Sequence, residues 1–143
     1  MNIYDEYDKL LRYCYMKTHD KFLAEDLVQE TFVKYYSHPP KSESIAYLYT
    51  IARNLCIDNY RKFSPDVEES INVAVDDKYD NLEIEEALNK LSEIDKEIVV
   101  LRFVDDMKVK DIASIFNVSR FVVQRKIKNA LNLLKNELGG DDE

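Results

Sequence analysis

Glycine and proline are scarce, with two glycines and three prolines in 143 residues. Sandwiches and barrels turn at intervals of roughly ten residues and build those turns largely from these two residue types, so a many-turned all-β architecture is excluded. The same scarcity excludes a glycine-rich phosphate cradle, and with it nucleotide chemistry of the Walker or dinucleotide type. There are only two cysteines, Cys14 and Cys56, far apart in the chain and outside any CxxC spacing. A disulfide framework or a zinc site is therefore not expected, and both residues read as buried free thiols in apolar helical surroundings. No run of about 18 uncharged apolar residues is present to span a bilayer. The first residues, Met1 to Glu6, show no basic stretch followed by an apolar core, so a reducing cytoplasm is the expected location.

The residues that are plentiful describe a helical chain able to bury a core. Apolar types make up 45% and charged types 34%, which suits one ordinary domain or two small ones and rules out the large catalytic barrels. The net charge of −8 disfavours nucleic acid as a partner when averaged over the chain, because phosphate contacts need Lys and Arg. The distribution of charge reverses that expectation.

Apolar spacing near 3.6 residues predicts three helices in the first half. Ile3, Tyr7, Leu10 and Cys14 form one stripe, and Leu23, Leu27, Val28 and Phe32 a second. Pro39, Pro40 and the polar run to Ser44 break the pattern. A third helix then carries Ile45, Leu48, Ala52, Leu55 and Cys56 inward and ends near Lys62, ahead of Pro65. Over the seventeen residues 64–80 six acids face the single Lys78, so this stretch holds −5 of the net charge and reads as an acidic linker. Ile71, Val73 and Val75 alternate within it but are too few to form a stable strand alone. Periodicity resumes at Ile84 and runs through Leu88, Leu91, Ile94, Ile98 and Leu101 until Asp105 and Asp106. A helix from Lys108 to Phe116, a turn at Asn117 to Ser119, and a helix from Arg120 to about Leu138 follow, with the tail from Gly139 expected to fray. The expected fold is all-α: a helical domain over 1–63, the linker over 64–80, and a second helical domain over 81–143.

The end of the chain has the form of a helix-turn-helix. Ala113 is small where the two helices must cross. Asn117 tolerates the left-handed turn, Ser119 is a suitable N-cap, and Val118, Val123 and Ile127 are expected to dock the last helix. Arg120, Gln124, Arg125, Lys126 and Lys128 then face outward. Between Lys108 and Asn136 seven bases accompany the single acid Asp111, a local +6 within an acidic protein. Such a face can approach phosphates, and Arg, Gln and Ser near the N-terminal end of the helix are types that can hydrogen-bond base edges in the major groove. A merely solvated basic helix is the competing reading.

In the first half the run Ala24 to Phe32, AEDLVQETF, resembles the AEDLxQExF signature of region two in extracytoplasmic-function sigma factors of the sigma-70 family. The run Ile45 to Arg61 is similar to the next part of that region, written WLxxIARNxxxDxxR. The pattern from Leu91 through Leu101, Arg102, Phe103, Ile112, Ala113, Val118, Ser119, Val123 and Ile127 resembles region four. These motifs lie in the family's order and span nearly the whole chain. The resemblance implies a non-enzymatic protein without cofactor or metal. It would bind core RNA polymerase, through the beta-prime clamp helices and the beta flap, and direct it to promoter DNA.

By the same resemblance Asp26, Gln29 and Glu30 would press against the clamp helices, and one outward side of a helix carrying acids and an amide suits a basic protein partner. A solvated acidic face is the alternative. The third helix would serve the minus-ten element, with Tyr47 to stack on a base, Asn54 and Asp58 for polar contacts, and Arg53, Arg61 and Lys62 for phosphates, beside a base pocket in the loop Ser37 to Ser44. Asn54 and Asp58 could equally cap or bridge structure. Ser119, Arg120, Gln124, Arg125 and Lys128 would serve the minus-thirty-five element. The linker reaches at most about 58 Å when extended, and the resemblance implies that it threads the polymerase channel later used by RNA. A solvated tether fits its composition equally well. An anti-sigma factor is a further implied partner, whereas membrane insertion is not expected.

This chain departs from the family pattern at Tyr47, where Trp is usual, at Asn117, where Gly is usual, and at Phe121 and Val122, where small or hydroxylated residues are common. Three rivals differ in class. A stand-alone helix-turn-helix regulator, its first half a dimerisation or sensor module, would bind DNA unaided and would not co-purify with core polymerase. A hydrolase using His19 or His38 lacks a nucleophile or metal-spaced partner for either histidine. An inactive sigma mimic would occupy polymerase without initiating transcription.

Overall fold

A computed structural model describes residues 3–63 and 82–137. The chain divides into two compact units, Met1–Ala74 and Val75–Glu143. All the regular elements among the described residues are helical. The expected linker over 64–80, with Ile71, Val73 and Val75, and the tail from Gly139 lie outside the described residues.

The first unit begins with a 3-10 turn, Ile3–Glu6, and continues as α1 (Tyr7–Thr18), α2 (Lys21–Ser37) and α3 (Ile45–Phe63), each packed on the other two. Two residues turn the chain between α1 and α2. His19 closes α1 in a left-handed conformation (φ 57°, ψ 26°) and its N–H donates to Tyr15 O at 2.7 Å. Asp20 caps α2, its Oδ1 accepting from Leu23 N at 3.1 Å. The second helix stops at the two prolines, and Ser44 restarts the chain by accepting from Tyr47 N at 3.0 Å.

The core is built from Leu10, Tyr13 and Cys14 of α1, Ala24, Val28, Thr31 and Tyr35 of α2, and Leu48, Tyr49, Ala52 and Cys56 of α3. Tyr13 and Tyr49 are completely buried and meet edge to face, ring centroids 5.6 Å apart, a geometry worth about 0.5–1.5 kcal/mol beyond the area buried. Leu23, Ile45 and Leu55, expected inside, are only half-buried, because the seam of each helix is centred on the neighbouring small or aromatic residues. The two cysteines, remote in sequence, are buried as thiols and in hydrogen-bond contact across α1 and α3. That contact, together with burial, holds the Cys14 thiol protonated well above the usual thiol range.

The second unit contains α4 (Leu82–Asn89), α5 (Glu93–Val99), a widened π turn (Val100–Val104), α6 (Val109–Phe116) and α7 (Arg120–Glu137). The periodic run expected from Ile84 to Leu101 is thus two helices. Ser92 breaks it by capping α5, its Oγ accepting from Asp95 N at 3.1 Å, and Ile94 is left 43% exposed. Asp105 and Asp106 end the π turn where expected, Asp106 taking a left-handed conformation at φ 57°. Helix α7 runs against α4, α5 and α6. Val123 and Ala130 are buried in this seam, and Ala130 joins Leu91 and Val99 in a small cluster closed by Leu88, Leu133 and Leu134. No helix among the described residues is long and apolar enough to cross a membrane.

Candidate functional site

In the second unit the turn between α6 and α7 takes its shape from residues 117–119. Asn117 sits in the left-handed region (φ 59°, ψ 46°), and Val118 N donates back to Ala113 O at 3.0 Å. Ser119 then opens α7, with its Oγ accepting from Val122 N at 3.2 Å and its carbonyl from Val123 N at 3.2 Å. Ile112, Ala113 and Ile115 of α6 are buried, and α6 packs against α7. Val118 was expected to help dock α7, but it is 38% exposed: its backbone closes the turn and its side chain faces away.

Burying Val123 and Ala130 fixes which side of α7 faces solvent. Ser119, Arg120, Gln124, Arg125 and Lys128 are all exposed, as the sequence implied. Lys126, grouped with them from sequence, points elsewhere: its Nζ is 3.2 Å from Asp95 Oδ1 on α5, and its side chain ties α7 to the fold. The outward centre of α7 includes a residue not counted among the contacts, Phe121, which is 70% exposed. The Arg125 guanidinium lies 5.9 Å from its ring centroid.

In the first unit Asp26, Gln29 and Glu30 are exposed on α2 and share its outer side, away from the Leu27, Val28 and Thr31 seam. Phe22 and Val33, 77% and 64% exposed, stand in the same register, at steps of four, three and four through Asp26 and Gln29. Sequence reading passed over both, although two apolar residues in line with a polar stripe are a visible signal.

The third helix is more mixed. Tyr47 is half-buried, its ring packed 5.6 Å from that of Tyr35 and its hydroxyl donating to His38 O at 2.8 Å. It braces the loop between α2 and α3, and Tyr35 Oη accepts from Ser44 N at 3.1 Å on the same loop. Asn54 and Asp58 are exposed on the same side of α3, whereas Arg53 is half-buried on another. The side chains of Arg61 and Lys62 lie outside the described residues. The site residues therefore form three groups: one on the outer side of α2, one along α3 and its preceding loop, and one on α7 in the other unit.

Comparison with known proteins finds two regions along the chain. Residues 3–64 match the family model Sigma-70 region 2 and residues 81–134 match Sigma-70, region 4. The ECF RNA polymerase sigma factor SigM of Bacillus subtilis is 32% identical over 82% of this chain and 81% of its own. SigW of the same organism, also an ECF RNA polymerase sigma factor, is 28% identical over 92% and 83%. Among solved structures, the sigma factor RpoE bound to the anti-sigma factor NepR, from Bartonella quintana, has a TM-score of 0.70 at 25% identity, covering 95% of this chain and 93% of RpoE. With both sigma regions present in order on two helical units, and relatives matched along most of their length, the chain belongs to the extracytoplasmic-function sigma factors of the sigma-70 family and serves as an RNA polymerase sigma factor.

Proposed function

We propose that the two units divide promoter recognition between them, the first engaging the polymerase clamp and the minus-ten element through a domain over 1–63 and the second reading the minus-thirty-five element through a domain over 81–143. The observation that carries this reading is the outward face of α7. Arg120, Gln124, Arg125 and Lys128 are committed to solvent, while the neighbouring Lys126 is consumed by Asp95. A basic face left open by the fold, at the N-terminal half of the second helix of a helix-turn-helix, suits a major groove and its phosphates.

On α2, Asp26, Gln29 and Glu30 contact the beta-prime clamp helices, with Phe22 and Val33 adding apolar contact at either end. Tyr47 holds the loop of 37–44 in shape, and Asn54 and Asp58 meet the opened minus-ten strand, with Arg53, Arg61 and Lys62 serving its phosphates. The acidic segment 64–80 keeps off DNA because phosphates repel it, and it enters the basic channel of the polymerase. The beta flap holds the second unit. The chain itself catalyses nothing and works in the cytoplasm beside the polymerase. An anti-sigma partner is expected by likeness to RpoE, which is held by NepR.

The test is reconstitution of the full chain with core polymerase. Co-elution and run-off transcription are expected, together with weak binding of duplex promoter by the chain alone. Asp26→Lys reverses an exposed charge without disturbing the core and lowers polymerase affinity by at least about tenfold. Tight specific duplex binding without polymerase, or an Asp26→Lys chain that still co-elutes normally, would overturn the assignment.

A further inference from the structure

The outward face of α7 is not uniformly polar. Taking Val123 and Ala130 as the buried direction, a rotation of about 100° per residue puts Phe121, Arg125, Lys128 and Asn132 almost opposite that direction, and all four are exposed. Phe121 therefore points along the middle of the presented face, as the second residue of α7, and is 70% exposed. It supports no part of the core. Arg125 lies over its ring at 5.9 Å, so the ring also limits where that guanidinium can point. The surrounding side chains are Arg120, Gln124 and Lys128, and the only acid on α7 is Glu137 at its far end. This charge fits a polyanion and opposes a basic protein surface.

In a major groove the apolar feature available to an aromatic side chain is the thymine 5-methyl group, and a guanidinium beside it can pair with the O6 and N7 of guanine. Resting on the reading of α7 as the helix that enters the minus-thirty-five element, we propose that Phe121 is a specificity-determining residue that contacts a thymine methyl and steers Arg125 onto an adjacent guanine. The sequence preference of this sigma factor then includes a methyl contact made by Phe121.

The experiment uses holoenzyme reconstituted from core polymerase and the full chain. A randomised upstream duplex is selected for binding to define the preferred element. Each thymine in that element, on either strand, is then replaced by deoxyuridine, which removes only the methyl group. At one position the replacement is expected to weaken binding about fourfold, the effect of losing one buried carbon. Phe121→Ala abolishes the difference between thymine and deoxyuridine at that position and relaxes the preference for guanine beside it, while Phe121→Leu keeps part of the methyl effect. Because Phe121 is exposed, the variants fold as the parent does, which circular dichroism checks. The proposal is overturned if deoxyuridine is silent at every thymine, if the selected element contains no A·T pair, or if Phe121→Ala weakens polymerase binding while leaving the thymine preference intact. Failure of the underlying reading looks different: replacing the entire upstream element then leaves binding unchanged.

Discussion

Lys126 and Lys128 carry the same charge two residues apart on one helix, yet one is paired with Asp95 and the other faces solvent, and a matched pair of substitutions tests whether only the second serves DNA as proposed. Lys128 is exposed on the presented face, while Lys126 Nζ is 3.2 Å from Asp95 Oδ1, with the two side chains 37% and 27% exposed. On the proposed function, Lys128→Gln is expected to remove one phosphate contact. The slope of log affinity against log salt for duplex DNA should become shallower by about 0.9. Raising salt from about 50 to about 200 mM then costs the variant about 3.5-fold less affinity than the parent. Lys126→Gln removes the same formal charge but breaks an ion pair inside the unit, so its salt slope stays at the parental value. A half-exposed pair of this kind contributes on the order of 0.2–1 kcal/mol, and that loss appears in thermal unfolding. The assay is equilibrium binding of the two variant holoenzymes to a promoter duplex across a salt series. Equal changes of slope in both variants would show that charge on α7 acts only through its total, and would refute the division of the helix into a presented face and a docked face.

Two further outcomes follow from local geometry. Asn117 holds a left-handed conformation at φ 59°, so Asn117→Ala should destabilise the second unit by about 1 kcal/mol and Asn117→Gly should not; equal melting temperatures for the two would contradict the strain argument. Burial raises the Glu6 carboxyl above its ordinary 4.5, an effect that Lys9 partly opposes and Asp5 reinforces. The folded chain then binds this proton to a higher pH than the unfolded chain does, so stability falls as pH rises through that interval. Glu6→Gln should melt higher than the parent near neutral pH, with the gap closing below pH 4.5; a gap that widens on acidification would reverse the sign.

Much of this protein is determined by local chemistry, and for that reason a single sequence discloses it. The helices of the first unit, the proline stop after α2, the left-handed Asn117 and the Ser119 cap each depend on residues within one turn of themselves. The AEDLVQETF and IARNLCIDNYR runs also identify the family without coordinates. Packing decided the rest. Periodicity alone joined α4 to α5, because the apolar step of three or four residues continues across Ser92. Lys126 resembled its neighbours until Asp95, 31 residues away, was brought beside it. Tyr47 could be placed on a face by counting, but its task of bracing the loop through His38 depends on α2 and α3 coming together. Cys14 and Cys56 meet for the same reason. Local hydrogen bonds and steric limits act over a few residues and are written in the order of the chain, whereas a side chain's partner across two helices depends on how their surfaces fit, which only the folded unit specifies.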